Sequence, residues 1–445
     1  MALGLTPEQI IAKNTHPLLR ISKRWSRVKM KHIAFVQNGY AYSSKYFNHD
    51  EGLPLIRIRD IDKTRTENLY SGDYSEEYIV NNQDILIGMD GDFKVSKWPG
   101  KKGLLNQRVC KINHYSKLYN RGFLFLCLQP YLNAINEETS SITVKHLSSK
   151  TINEIPLPLP PLPEQRAIVA KIEQLFSELD NGIANLKKAK EKLEIYRQAV
   201  LKKAFEGELT NTNNIEWVTL DEVCDDVEYG TSSKSKDKGL VPVLRMGNIQ
   251  NGQINWEDLK FTSDKEEIKK YRLNNGDVLF NRTNSPEHVG KTAIFKGERE
   301  AIFAGYLIRI HYDKGIVNGY YLNYFMNCHI AKKYGNKVKS FGVNQSNING
   351  TKLKSYPFPN ISLEEQERIV KEIETRLSVC DSVLANINEG LEKAEALRQS
   401  ILKKAFAGSL LSEVELEVCR REPDWEPAEK LLERIKNKKD EEVTT

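Results

Sequence analysis

The stretch PEQRAIVAKIEQLFSELDNGIANLKKAKEKLEIYRQAVLKKAFEGEL, Pro163 to Leu209, returns as LEEQERIVKEIETRLSVCDSVLANINEGLEKAEALRQSILKKAFAGSL, Leu363 to Leu410. Gln165 matches Gln366, an offset of 366 − 165 = 201 that holds without a gap through Asp180/Asp381, Arg197/Arg398 and Leu201-Lys-Lys-Ala-Phe205 against Leu402-Lys-Lys-Ala-Phe406. From Glu164/Glu365 to Leu209/Leu410, 22 of 46 pairs are identical, far more than shared helical composition gives. A period this long indicates a duplicated domain-plus-helix unit rather than a solenoid.

In the first copy Ile168, Ile172, Leu175/Phe176, Leu179, Ile183, Leu186, Leu193, Tyr196 and Val200 step by three and four, with one turn skipped at Lys190. The second repeats this with Ile369, Ile373, Leu377, Cys380, Leu384, Ile387, Ala394, Leu397 and Ile401. Such a narrow stripe is a coiled-coil seam. Forty-odd residues make a rod of roughly 70 Å, which cannot bury its stripe alone. The expected partner of each copy is the other; the alternative is that each packs separately on its own domain.

Elsewhere the chain has the composition of an ordinary soluble protein. Its 445 residues fit two or three domains, and a net charge of +6 permits nucleic-acid binding without arguing for it. Six scattered cysteines (Cys110, Cys127, Cys224, Cys328, Cys380, Cys419) form no C-x-x-C pair and read as reduced, buried thiols of a cytoplasmic protein. The N-terminus lacks the layout of a signal peptide, and no apolar run is long enough to cross a bilayer.

Taken in order, residues 1–20 predict a short helix with Thr6 as N-cap and Pro7 at its first position. Residues 21–155 alternate β-like runs (Leu55 to Ile58, Asp84 to Ile87, Arg108 to Ile112) with Gly, Asn and Asp turns, an α+β pattern. Residues 156–212 hold a polyproline-like strut, Leu157 to Pro163, and the first long helix, closed by Gly207. Residues 213–355 form a second globular block and 356–411 its long helix. Residues 412–445 form an amphipathic tail in which Pro427 to Lys436 is helical and Asn437 onward is expected to be disordered.

The two blocks correspond loosely. Pro54 to Ile61 pairs with Pro242 to Ile249 at an offset of 188, and Asn82 to Leu86 with Asn275 to Leu279 at 193. By Pro156-Leu-Pro158 against Pro357-Phe-Pro359 the offset is again 201. Strands that match while the loops between them diverge are what two related domains recognising different things would show.

These residues resemble the specificity subunits of type I restriction-modification systems. The likeness rests on Pro158-Leu-Pro-Pro-Leu-Pro-Glu-Gln-Arg-Ala-Ile-Val169 opening the first helix, Arg197-Gln-Ala-Val-Leu-Lys-Lys-Ala-Phe-Glu-Gly207 closing it, and their second-copy versions. The resemblance implies two target recognition domains, 21–155 and 213–355, each reading one half of a split double-stranded DNA site. Two long helices would pair antiparallel with pseudo-twofold symmetry, set the unread gap, and dock two modification subunits and the restriction subunits. It implies a non-catalytic chain that binds no cofactor, with S-adenosylmethionine, ATP and Mg2+ in the partners. The second copy departs at its entrance, where Glu367 stands in place of Arg166 and the prolines are fewer, so the two docking faces need not be equivalent.

Base reading calls for Arg or Lys toward guanine and Asn or Gln toward adenine, with further cations for phosphate. The first block offers Arg57, Arg59, Lys94, Lys97, Lys101, Lys102, Asn106, Gln107, Arg108, Lys145 and His146. The second offers Lys234, Lys236, Arg245, Asn248, Gln250, Asn281, Arg282, Asn284, Lys291, Lys339, Asn344, Gln345 and Asn347. A solvated surface role is the bland reading of any one of them. Clustering favours Asp92 to Lys102 and Ser340 to Asn347, while Arg57 and Arg245, at matching places, suit loop-orienting or phosphate roles as well as base reading.

Other motifs carry less. Ser285-Pro-Glu-His-Val-Gly290-Lys291-Thr292 imitates a phosphate loop, but Ser285 replaces its first glycine and Pro286 has no N–H to donate. Asp84 with Asp92-Phe-Lys94 loosely copies a nuclease triad, yet Asp90 and Asp92 around Gly91 read as a turn. The histidines have no metal-ligand spacing, Trp98, Trp217 and Trp256 read as packing anchors, and no cofactor loop of a methyltransferase is present. A coiled-coil protein scaffold that does not read DNA is the competing class; it explains the helices but not two large domains with divergent loops.

Overall fold

The computed structural model describes residues 5–13, 16–63, 65–138, 145–211, 215–342 and 345–443, with side chains to 437. It divides into two compact units, residues 1–183 with 392–445, and residues 184–391. Each unit holds one globular block and half of each long helix, because a one-stripe helix gains its burial from its neighbours along its length.

In the first unit a four-stranded antiparallel sheet runs in the order Ala34–Asn38, Val109–His114, Ile85–Gly88, Val95–Lys97. Its inner strands are buried on both faces, so they read as continuous apolar runs. Ile85, Ile87, Cys110 and Ile112 pack toward Phe123, Leu124 and Leu128 of the helix Arg121–Glu137, whereas Leu86 and Val109 join Ile56, Trp98 and Leu105 on the other side. There Leu53–Ile56 pairs in parallel with Gly103–Leu105.

The second unit repeats the plan. Its sheet order is Cys224–Tyr229, Leu307–Tyr312, Val278–Asn281, Thr292–Ile294, and Val241–Leu244 pairs in parallel with Ile302–Phe303. The α+β expectation and the strand runs hold, with ends shifted by one or two residues.

The proline strut is corrected. Pro156–Leu159 is a β-strand antiparallel to Ser26–Lys29, and Pro357–Asn360 pairs likewise with Glu216–Thr219. Proline lacks a donor but keeps its carbonyl, so it can occupy a strand that needs only some of its ladder bonds. Tyr119 and Tyr321 donate their hydroxyls to the carbonyls of Pro158 and Pro359, at 2.8 and 3.3 Å.

The glutamine of each repeat fastens helix to domain. Gln165 is fully buried; its Oε1 accepts from Asn120 N–H at 2.7 Å and its Nε2 donates to Pro160 O at 2.8 Å. Gln366, equally buried, accepts from Asn318 N–H at 2.8 Å and donates to the carbonyls of Ile316 and Ile361. Asn120 and Asn318 are themselves N-caps, so one amide ties a domain helix to the root of the long helix.

The long helices span Leu162–Phe205 and Leu363–Phe406, 44 residues each. Gly207 and Gly408 close them at φ +80° and +71°, a left-handed turn that glycine takes without strain. They pair antiparallel. In the first unit Arg398 pairs with Asp180 and lies 4.6 Å from the ring of Phe176. In the second, Leu186 lies against Gly390, Lys190 donates to Asn388, and Arg197 pairs with Asp381. Since 197 + 201 = 398 and 180 + 201 = 381, the same ion pair is made once in each unit.

Ile168, Ile172, Ile369, Ile373 and Ile387 of the expected seam are buried, and Leu179, Ile183, Leu186, Leu193, Leu377 and Leu384 are half-buried. Leu397 is not in it. Its side chain is 52% exposed, and its counterpart Tyr196 is exposed too. After Leu193 and Ala394 the stripe steps four residues to Arg197 and Arg398, whose stems cover the seam while their heads reach the aspartates. The skipped turn is filled by Ala189 rather than by Lys190.

Both chain ends join the first unit. Ile10 and Ile11 of Pro7–Lys13, Leu416 and Cys419 of Glu413–Arg420, and Leu431 and Ile435 of Ala428–Val443 enter the same core as Phe123 and Ile168. The last helix continues past Asn437 to Val443, where disorder was expected. All six cysteines are free and buried, and no helix among the described residues is long and apolar enough to cross a membrane.

Candidate nucleic-acid interface

At one end of each four-stranded sheet, three segments far apart in sequence are knitted by backbone hydrogen bonds. In the first domain Met89 N–H donates to Arg108 O at 2.8 Å, and Leu147 N–H donates to Met89 O at 2.7 Å. In the second, Arg282 N–H donates to Tyr306 O at 3.0 Å, and Ile348 N–H to Arg282 O at 2.9 Å. The two constructions are the same, so Asp90 corresponds to Thr283, Arg108 to Tyr306 and His146 to Asn347.

The side chains on this shared frame differ. In the first domain Asp90 accepts from Arg108 NH1 at 3.3 Å and sits 2.7 Å from His146 Nδ1. Arg108 occupies the left-handed region at φ +70° and is 56% exposed. In the second, Asn347 donates to Thr283 Oγ1 at 2.8 Å, and Tyr306 stands exposed in place of the arginine. Arg282 lies 4.9 Å from the ring of Tyr229 and donates to Gly305 O. At the three matched positions the first head carries a carboxylate, a guanidinium and an imidazole, and the second a hydroxyl, a phenol and an amide. Tyr40 and Gln107 beside the first head, and Phe341 beside the second, are also exposed.

Of the buried polar atoms without a hydrogen-bond partner among the described residues, which also include Tyr42 Oη, His114 Nε2, Arg245 Nε and Trp425 Nε1, five lie here. They are Asn106 Oδ1 in the first domain, and both amide atoms of Asn281, Arg282 Nε and Ser346 Oγ in the second. Such atoms are costly to leave unsatisfied, so each one in a native protein calls for an explanation.

Several sequence candidates have structural duties. Asn248 is buried, and its amide donates to the carbonyls of Asn255 and Glu257, which removes it as a base reader. Asn281 is 0% exposed, so it too is not a surface contact. Arg57 bonds Asp60 within its own turn, and Arg245 bonds Asp258 and opens the matching turn; both orient loops. Lys94 pairs with Asp62 rather than joining Asp84, whose carboxylate takes Asn81 N–H and Arg121. The salt bridge to Lys94 holds the Asp62 carboxyl below its usual pKa.

Lys145 is spent on Asn136, Lys339 on the carbonyl of Pro286, and Lys291 on Gln250, with burial lowering the Lys291 pKa. Lys97 stacks near Phe125. Arg59, Lys101, Lys102, Gln107, Lys234 and Gln345 are exposed, and Asn344 falls outside the described residues. Among the described residues no three His, Cys, Asp or Glu side chains gather as metal ligands.

Sequence reading passed over Asp90, Thr283 and Tyr306. Asp90 looked like a turn residue, and the offset between the blocks slides from 193 to 198 to 201 across the three segments. Only the hydrogen-bond register aligns them.

Two copies of one α+β domain, each seated on a pair of antiparallel helices and ending in a head of different chemistry, define a protein that presents two different recognition surfaces from one scaffold. The chain belongs to the type I restriction modification DNA specificity domain family, whose model matches residues 22–191 and 213–393. It is similar to the type I restriction enzyme EcoBI specificity subunit of Escherichia coli, with 32% identity over 98% of this chain and 97% of that one. The EcoKI specificity subunit of Escherichia coli strain K12 is 26% identical over 94% and 96% of the two chains. Among solved structures, the fold is similar to one reported for complex assembly and conformational transition of the type I R-M system (21% identity, TM-score 0.67, 88% of this chain and 100% of that one). It is also similar to the HsdS subunit from Thermoanaerobacter tengcongensis (20% identity, TM-score 0.53, 88% and 98%).

Proposed function

We propose that this chain is the DNA-sequence-specificity subunit of a type I restriction-modification complex, each recognition domain reading one half of a bipartite double-stranded target. The observation that carries this reading is the pair of heads, with identical backbone hydrogen bonds and different side chains. A protein scaffold would need no such divergence on so closely kept a frame. The exposed cations Arg59, Lys101, Lys102 and Lys234 are phosphate contacts in this reading, supplying affinity without sequence information.

The paired helices separate the half-sites and carry the docking faces for two modification subunits and the restriction subunits. S-adenosylmethionine, ATP and Mg2+ belong to those partners, and the complex works in the cytoplasm as an adenine methyltransferase and ATP-dependent endonuclease. This chain contributes address and geometry rather than a reacting group.

The test is methylome sequencing of a host carrying this chain with its modification subunit. The expected result is one split motif with a fixed gap, and exchanging residues 21–155 for those of a relative should rewrite one half only. Methylation at an unsplit motif, or a swap that alters both halves, would overturn the reading. Adding whole helical turns between Lys187 and Lys192, matched between Asn388 and Lys393, should lengthen the gap; an unchanged gap would show that the helices do not set it.

A further inference from the structure

We propose that Arg108, aimed by Asp90, reads a guanine in the half-site of the first domain, and that the paired positions Asp90·His146 and Thr283·Asn347 are where the two domains acquire different specificities. This rests on the DNA-reading function proposed above and names the residues that perform it.

The argument begins with the backbone. Arg108 lies between the turn at Gln107 and the central strand Val109–His114, and its φ of +70° is unusual for a residue with a side chain. A strained conformation persists where the surroundings over-determine it, and such places are enriched in functional sites. Here Gln107 N–H is tied to Tyr40 O at 2.8 Å, and Arg108 O takes the Met89 N–H. The base of the side chain is therefore held from both flanks.

The head group is held as well. Asp90 takes only NH1, and Nε and NH2 have no partner among the described residues. Those remaining N–H groups keep the planar fork that guanine O6 and N7 accept as a pair. A carboxylate beside a guanidinium lowers its general attraction for phosphate while fixing its direction. That suits a base edge and not a backbone contact. His146, which meets the same Oδ1 of Asp90 at 2.7 Å and is bridged to Asp90 by backbone pairing, keeps the carboxylate from turning away.

The second domain supplies the contrast. At the same three backbone positions it has no cation and no carboxylate; Asn347 bonds Thr283, and Tyr306 replaces Arg108. A structural role for the triad would call for similar chemistry at both places. Different chemistry on one frame is what two half-sites of different sequence require.

The experiment uses the full chain in complex with its modification subunits and reads the methylated motif by long-read sequencing. Arg108→Gly removes the guanidinium and suits the left-handed backbone, so the fold is not put at risk. The expected result is loss of preference at one base pair, a guanine in the wild-type motif, by about 5- to 100-fold relative to the other bases. The second half-site and the gap should be unchanged. Asp90→Asn should blunt the same preference, with calorimetry showing an unaltered unfolding transition, and Arg108→Lys should retain part of it. An unchanged motif for Arg108→Gly, or a uniform fall in methylation with the motif intact, would overturn the assignment, the latter marking Arg108 as a phosphate contact. If the wild-type complex yielded no split motif at all, the proposed function itself would fail, a result distinct from either.

Discussion

The two units share strand order, parallel pair, glutamine lock and head construction, yet they differ where each long helix leaves its domain. In the first unit Arg166 makes two bonds to Asp424, at 2.7 and 2.8 Å, and Lys171 reaches Glu415 at 3.0 Å. In the second unit the equivalent residues are Glu367 and Glu372, and Glu372 pairs with Arg376 along its own helix. Glu365 instead takes the Thr210 hydroxyl at 2.8 Å, while Arg368 donates to Thr210 O. Only the first unit carries the two chain ends, and its helix root has acquired cations to hold an acidic tail. Duplication preserved what each unit needs to fold; divergence followed what each has to hold.

This comparison can be broken or sharpened by experiment. The largest effect should come from the glutamine lock. Gln165→Ala and Gln366→Ala each orphan buried backbone groups, at a cost of about 2–5 kcal/mol, and the Gln366 change should cost more because it loses a third bond. Denaturation followed by hydrogen exchange in each domain would measure this. Equal losses would show that the extra bond to Ile316 O adds nothing.

Next come the repeated ion pairs. Arg398→Ala should destabilise by about 1–2 kcal/mol, because the guanidinium also covers Phe176, while Arg197→Ala should cost under about 1 kcal/mol. Matching values would remove the distinction between the two halves of the helix pair.

Arg166→Glu, which gives the first unit the charge of the second, should release the Glu413–Arg420 segment at a cost of about 1 kcal/mol. Faster tryptic cleavage at Arg420 and Arg421 is the expected readout. Unchanged cleavage would place the tail's attachment in Leu416 and Cys419 alone.

The smallest effect is one of pH. The Glu415 carboxyl is lowered to about 2, chiefly by the Ser412 backbone N–H, with Lys171 and the Ser412 hydroxyl contributing. Asp424 is lowered by Arg166. A depressed carboxylate stabilises the fold above its unfolded pKa, near 4.5 for a glutamate, and that stabilisation is lost as pH falls toward 2. Tail docking should therefore weaken across that window in the wild type and much less in Glu415→Gln. A tail whose protection is the same at pH 5 and pH 3 would contradict this.

The legible parts were those written locally. The stripe, the Gly207 and Gly408 closures and the offset of 201 follow from helical periodicity and capping, and the helices ran as expected. Leu397 was misplaced because a strict three-and-four alternation cannot tell a step of three from a step of four when arginine stems are able to serve as seam. The proline strut was misread because proline content reports what a backbone cannot donate, not which strand lies beside it.

What the sequence determined by itself is the doubled plan: two α+β blocks, two helices of one length, and a family likeness spanning the chain. Only the tertiary structure decided which residues form the heads. Asp90 meets Arg108 from 18 positions away and His146 from 56, while Thr283 meets Asn347 from 64. Helix periodicity is a property of neighbours along the chain, whereas these meetings depend on the register of strands joined by loops of unequal length, and register is set by backbone pairing across the sheet.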